Sequence, residues 1–236
     1  MTNKASSSGF CLPKRTIVHL LVLLTAIFSS VLHAQSIDPL LIEAVRWYTG
    51  ETGQVDDVKA RALLEEAVLD DDVLSRMWLA RVYSTGRMTY EADKARAQNL
   101  AEAVIDDIET LAESGLAEAQ FLMGTAYAEG LGKVVDAEQA VDWYRKAAAQ
   151  GHVLAQHNLG NVSFSGTGTD QDYAQAVYWW QLAAEQGDAI PQFRLGNMYA
   201  EGLGVNRDSG MAEYWYREAA SRGNVNAVAA LSKLTE

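Results

Sequence analysis

Four glycine columns recur at one spacing and restrict this chain more than any other feature. "YAEGLG" stands at Tyr127–Gly132 and again at Tyr199–Gly204, and "SFSGTG" occupies the midpoint. Without a gap, the register holds Gly124, Gly160 and Gly196, then Gly130, Gly166 and Gly202, then Gly132, Gly168 and Gly204. Asp136, Asp172 and Asp208 follow in step, then Trp143, Trp179 and Trp215, a pair of alanines, and Gly151, Gly187 and Gly223. A period of 36 residues kept in so many columns is an internal repeat. Such a chain buries its apolar surface by stacking copies of one small unit.

Each unit reads as two helices. In the first, Ala119, Met123 and Tyr127 return at i+4 and i+8. Asp136 starts the second, and Gln139 three residues later predicts a reciprocal capping box. Asp172 and Gln175 repeat that device; Asp208 has Met211, which leaves half of it. Ala140, Trp143, Tyr144 and Ala147 make one apolar stripe. Gly151, Gly187 and Gly223 suit a left-handed residue closing the helix. Gly124 and Ala148 allow close helix approach, with Trp143 and Tyr127 filling the space between neighbouring pairs. With three prolines in 236 residues and abundant Ala, Leu, Glu and Gln, helix is favoured throughout.

The pattern extends upstream in weaker form. "WLARVYSTG" (Trp78–Gly86) matches a first helix and "LAESG" (Leu111–Gly115) the end of a second, but Tyr83 to Tyr127 spans 44 residues, so eight are inserted, expected as two extra helical turns. The expected organisation is a leader over 1–34 and a degenerate helix pair over 35–72, then a divergent repeat over 73–115. Regular repeats follow over 116–152, 153–188 and 189–224, with a capping helix over 225–236.

In the leader, Lys14 and Arg15 precede the apolar run "IVHLLVLLTAIF", and a small residue follows at Ala34. That is the layout of a secretory signal peptide cleaved after Ala34. Leu32 is larger than usual for such a site, and the alternative is an uncleaved inner-membrane anchor, since about 18 apolar residues can span a bilayer. His19, Ser29 and Ser30 interrupt the run and favour cleavage into the periplasm or beyond. Removing residues 1–34 leaves 16 basic against 31 acidic groups, a net charge near −15. Such a chain repels nucleic-acid phosphates and anionic lipid, so a membrane role is expected only through the N-terminal segment. Cys11, the single cysteine, lies in the leader, so the fold must be held by packing alone.

Gly-x-Gly between helices, an Asp start, a Trp-Tyr pair, Ala-Ala and a terminal Gly over 36 residues resemble the Sel-one-like repeat (SLR) family, relatives of the tetratricopeptide repeats. The resemblance is strong over 116–232 and weaker over 37–115; Ser163 departs from it, standing in the tyrosine column. It implies an all-α fold, a right-handed α-solenoid of stacked antiparallel helix pairs, acting as an adaptor for other proteins. Some secreted bacterial members have been proposed to bind or hydrolyse penicillin-like compounds. Those carry a cysteine pair in each repeat, which this chain lacks.

Catalytic candidates are sparse. His152 and His157 are five apart, off one helix face, and no cysteine assists them, so no metal and no cofactor is expected. The glycine pairs lack a following Gly-Lys-Ser/Thr and sit between helices, unlike a phosphate loop. Asp70–Asp72 and Asp106–Asp107 lack EF-hand spacing, and Asp72 reads as a helix cap. Asn161 heads an Asn-Val-Ser sequon, but inside a predicted helix. Trp143, Trp179 and Trp215 read as core.

What remains is the concave groove, which first helices line in related helix-pair folds. The candidate partner-binding stripe is Glu118, Phe121 and Thr125; then Leu154, His157 and Asn161; then Ile190, Phe193 and Asn197. Aromatics flanked by amides suit a bound peptide, although packing of the phenylalanines on the next unit fits equally. The expected function is a non-catalytic exported scaffold binding another protein. The alternatives are a protein that binds or hydrolyses cell-wall or lactam ligands, or a permanent subunit of an envelope machine.

Overall fold

The computed structural model describes residues 37–234, and every regular element among them is helical. Helices α1 (Pro39–Thr49) and α2 (Asp57–Ala67) form the first pair. Then α3 (Val73–Thr85) is followed by α4 (Lys94–Glu102) and α5 (Ile105–Glu113). The regular pairs are α6 (Ala117–Glu129) with α7 (Ala137–Ala149), α8 (Val153–Ser165) with α9 (Tyr173–Glu185), and α10 (Ala189–Glu201) with α11 (Ser209–Ser221). A final helix, α12 (Val225–Leu234), packs on α11. Each helix packs on its pair partner and each pair on the next, making an all-α solenoid. The proposed leader lies outside the described residues. No helix among those described is long and apolar enough to cross a membrane.

The turn within a pair is built the same way five times. Gly50, Gly86, Gly130, Gly166 and Gly202 end the first helices in the left-handed conformation, with φ from 72° to 86°. Glycine takes this conformation at no steric cost. The chain then returns so that the aspartate capping the second helix donates its amide to a carbonyl near the end of the first. The bonds are Asp56 to Trp47, Asp93 to Tyr83, Asp136 to Tyr127, Asp172 to Ser163 and Asp208 to Tyr199, all at 2.8–3.0 Å. This corrects the capping-box expectation. Asp136 and Asp172 do accept from the Gln139 and Gln175 amides at 3.0 Å. Their own amides, however, are taken by the first helix and not by the glutamine side chains. It also accounts for Ser163, because the bond uses only its backbone.

Between the helices of a pair, Gly124, Gly160 and Gly196 face the rings of Tyr144, Trp180 and Tyr216, so closely that a Cβ would overlap each ring. The ring filling this contact is therefore one position beyond the Trp143 column. Trp143 and Trp215 are buried beside it, while Trp179 keeps partial exposure. The inserted residues do not lengthen a helix by two turns; they break it into α4 and α5 at Ala103–Val104.

A buried glutamine ladder joins successive units. Gln120, Gln156 and Gln192 donate to the carbonyls of Ala112, Ala148 and Ala184 at 3.0–3.4 Å. Gln150 and Gln186 then donate to the Gln120 and Gln156 side chains at 2.8 and 2.7 Å. The third copy of this column is Arg222, which turns away and donates to the carbonyl of Gly50 at 2.9 Å. Val55 returns a bond from its amide to the Arg222 carbonyl at 3.1 Å. The turn of the first pair is thereby tied to the end of the last regular repeat.

Candidate functional site

Burial divides the predicted stripe in two. Glu118, Phe121, Thr125 and Leu154 are buried, whereas His157, Asn161, Phe193 and Asn197 are partly exposed and Ile190 is 47% exposed. The stripe is not one continuous open face, and of the two readings of Phe121 the packing one holds. Its ring stacks on His152 with centroids 4.6 Å apart and lies 5.7 Å from Trp78 and 6.1 Å from Tyr144. Helix α1 borders the starts of α6 and α8 across a cleft lined by Leu41, Val45, Thr49, Glu118, His152 and Leu154.

The recurring Thr125, Asn161 and Asn197 have a packing role. Their side chains accept from Tyr144 Oη at 3.4 Å, Trp180 Nε1 at 3.2 Å and Tyr216 Oη at 2.8 Å. The column satisfies the polar end of each ring that sits against a helix glycine.

Both histidines outside the leader are held by carboxylates. His152 Nδ1 accepts the Ala155 amide at 3.2 Å, capping α8, so Nε2 carries the proton and donates to Glu118 Oε2 at 3.0 Å. Glu118 Oε1 accepts the Trp78 indole N–H at 2.6 Å. Burial opposes ionisation of Glu118, but His152, the Trp78 N–H and the more distant Arg81 outweigh it and hold its pKa below the ordinary value. His157 Nδ1 donates to Asp188 Oδ2 at 2.8 Å, while Asp188 Oδ1 accepts the Ile190 amide at 3.0 Å. Among the described residues no three His, Cys, Asp or Glu side chains gather as a metal site would require.

Among the described residues two further openings take in residues of the predicted stripe. One is a cavity of about 420 Å³ between the first pair and the α8–α12 region, bordered by Tyr48, Arg81, His157, Asn158, Ile190 and Asn226. The other is a groove of about 430 Å³ between α10 and α12, bordered by Phe193, Asn197, Tyr216, Asn226, Ala230 and Lys233. Leu154, His157 and Ile190 of the predicted stripe thus reach the cavity, and Phe193 and Asn197 the groove. Asn161 reaches neither. Sequence reasoning did not anticipate Arg81 or Asn226, although Arg81 occupies in α3 the column of Thr125, Asn161 and Asn197. A cation in a column of acceptors was the available signal.

The Sel1 repeat family model matches residues 117–152, 153–188 and 192–224. Among solved structures, a protective antigen of uropathogenic Escherichia coli strains displaying an SLR fold is 29% identical, with a TM-score of 0.56. The match covers 87% of this chain and 42% of that one. A Sel1 repeat protein from Oxalobacter formigenes is 34% identical with a TM-score of 0.53, over 76% of this chain and 49% of that one. The chain thus spans less than half the length of either relative. No curated protein matches it.

Proposed function

The chain is a Sel1-repeat protein, and we propose that it works as an exported, non-catalytic scaffold that holds a protein partner on the inner face of its second and third regular repeats. Sel1 repeats commonly serve as protein-interaction scaffolds. The observation that carries the location is the open groove between α10 and α12, with half-buried Phe193 and the Asn197 amide, next to the cavity that exposed Ile190 borders. An apolar anchor bounded by amides on rigid helices limits the ordering cost of binding. The inner face of the first regular repeat contributes little, since its stripe residues are buried beneath neighbouring rings and α1.

Support for a non-catalytic role comes from the histidines, since His152 caps a helix and His157 is held by Asp188. Support for export comes from the basic, apolar and small-residue order of the first 34 residues. N-terminal sequencing of the mature protein should begin at Gln35; an intact Met1 with membrane retention would replace export by anchoring.

The partner face is tested by affinity capture from the native envelope with the full chain and with Ile190→Glu and Asn226→Lys. Both positions are exposed, so folding should persist while a specific partner is lost. Retention of every partner by both variants would remove the groove from the reading.

A further inference from the structure

Arg81 is the least expected side chain in the molecule. It is 5% exposed, and its Nε and Nη1 are buried without a hydrogen-bond partner. The nearby carboxylates are engaged elsewhere. Glu129 takes Arg87 at 2.9 Å and the Ser84 hydroxyl, and Glu118 takes Trp78 and His152. What surrounds the guanidinium is aromatic: the ring centres of Trp78, Phe121 and Tyr48 lie 4.6, 5.3 and 5.6 Å from its central carbon. Ring faces attract the charge but leave the N–H donors on Nε and Nη1 unanswered. Burial lowers the Arg81 pKa, yet a guanidinium stays charged in a protein. A buried cation without an acceptor is destabilising, and its usual remedy is an anion.

The space for one is adjacent. Arg81 borders the cavity of about 420 Å³, within the roughly 300–1,000 Å³ typical of small-molecule sites. Met88, Leu154 and Ile190 give it apolar walls, and Asn158 adds an amide. Asp57 and Asp188 also border it, and Asp57 Oδ1 is itself buried without a partner. These acids disfavour a dianion such as phosphate. One unpaired planar cation and apolar walls match an anion with an apolar body, the flanking carboxylates limit it to a single charge, and a two-oxygen planar group fits the guanidinium.

We propose that this cavity binds a small organic carboxylate, anchored by Arg81. A free branched-chain acid and the last residue of a peptide share that chemistry. The cavity adjoins the α10–α12 groove at Asn226, but the proposal does not depend on the scaffold reading.

The full chain is titrated with sodium 3-methylbutanoate, and with N-acetyl-leucine to represent a peptide terminus, by calorimetry and thermal unfolding. Controls are 3-methylbutanamide, 3-methylbutylamine and sodium chloride at matched ionic strength. A saturable rise in unfolding temperature is expected with either carboxylate and with none of the controls, and the tighter acid identifies the source. Arg81→Met, similar in length but uncharged, should abolish the response without lowering the unfolding temperature of the free protein. Arg81→Lys, which keeps the charge but loses the fork, should bind at least tenfold more weakly. If Arg81→Met does not fold, the Arg81 Nε–H resonance of the wild-type protein should shift with carboxylate and not with the amide. The proposal is overturned if neither acid gives a saturable response, if chloride or the amide matches them, or if folded Arg81→Met responds like wild type.

Discussion

Arg222 donates to the carbonyl oxygen of Gly50 at 2.9 Å across 172 positions of chain. In the two preceding repeats the same column holds Gln150 and Gln186, which bond instead to Gln120 and Gln156 beside them. The matching Gln192 Oε1 is left buried without a partner. One departure from the repeat therefore exchanges a bond between neighbours for a bond between the ends of the helical stack.

Arg222→Gln should restore the bond to Gln192 and release the turn at Gly50. A hydrogen bond contributes about 0.5–1.5 kcal/mol. Hydrogen exchange of α1 amides should accelerate by about two- to tenfold, with α8 and α9 unchanged. Equal protection of α1 in both proteins would mean that packing alone holds the first pair.

Gly160→Ala places a methyl group inside the Trp180 ring contact. Overpacking of this kind costs about 1–3 kcal/mol. Urea denaturation should show that loss. Gly151→Ala, where φ is 86° but no atom lies within 4 Å of the added group, should lose only about 1 kcal/mol, from backbone strain. Equal losses at the two sites would refute the assignment of Gly160 to ring contact.

Much of this architecture was legible because repetition reveals itself in sequence. The glycine, aspartate and tryptophan columns located the helices and their turns, and the inserted residues upstream. What stayed hidden depends on direction in space. Phe121 and Phe193 share a column, yet Phe121 is enclosed by Trp78, Tyr144 and His152 while Phe193 faces a groove. The difference arises from Trp78 on α3 and His152 ahead of α8, whose approach a local periodicity does not encode. Asn161 and Asn197 looked like peptide contacts because amides recur; the rings they serve lie 19 residues away on another helix.

Asn197→Ala tests that role. It removes the acceptor of the Tyr216 hydroxyl and should destabilise the protein by about 0.5–1.5 kcal/mol in chemical denaturation. No loss of stability would return Asn197 to the partner face alone.

Glu118→Gln should reveal a pH-dependent contribution. The folded-state pKa of Glu118 lies below the ordinary 4.5, so its charge stabilises the fold above that pH. The contribution is lost as pH falls through the folded value. Wild type should therefore exceed Glu118→Gln by about 1–3 kcal/mol at neutral pH, with the gap closing in acid. A gap that is constant with pH would show that shape, not charge, is what Glu118 contributes.

The partner surface itself is best examined by photo-crosslinking in living cells, with the reactive side chain placed singly at Ile190 or Asn226 on the inner side and at Tyr178 or Tyr214 on the second helices. All four positions are exposed, Tyr178 at 53% and Tyr214 at 50%. An inner-face scaffold gives a discrete heavier adduct from Ile190 and Asn226 and none from the two tyrosines. Adducts confined to Tyr178 and Tyr214 would contradict it and place the partner on the opposite helices.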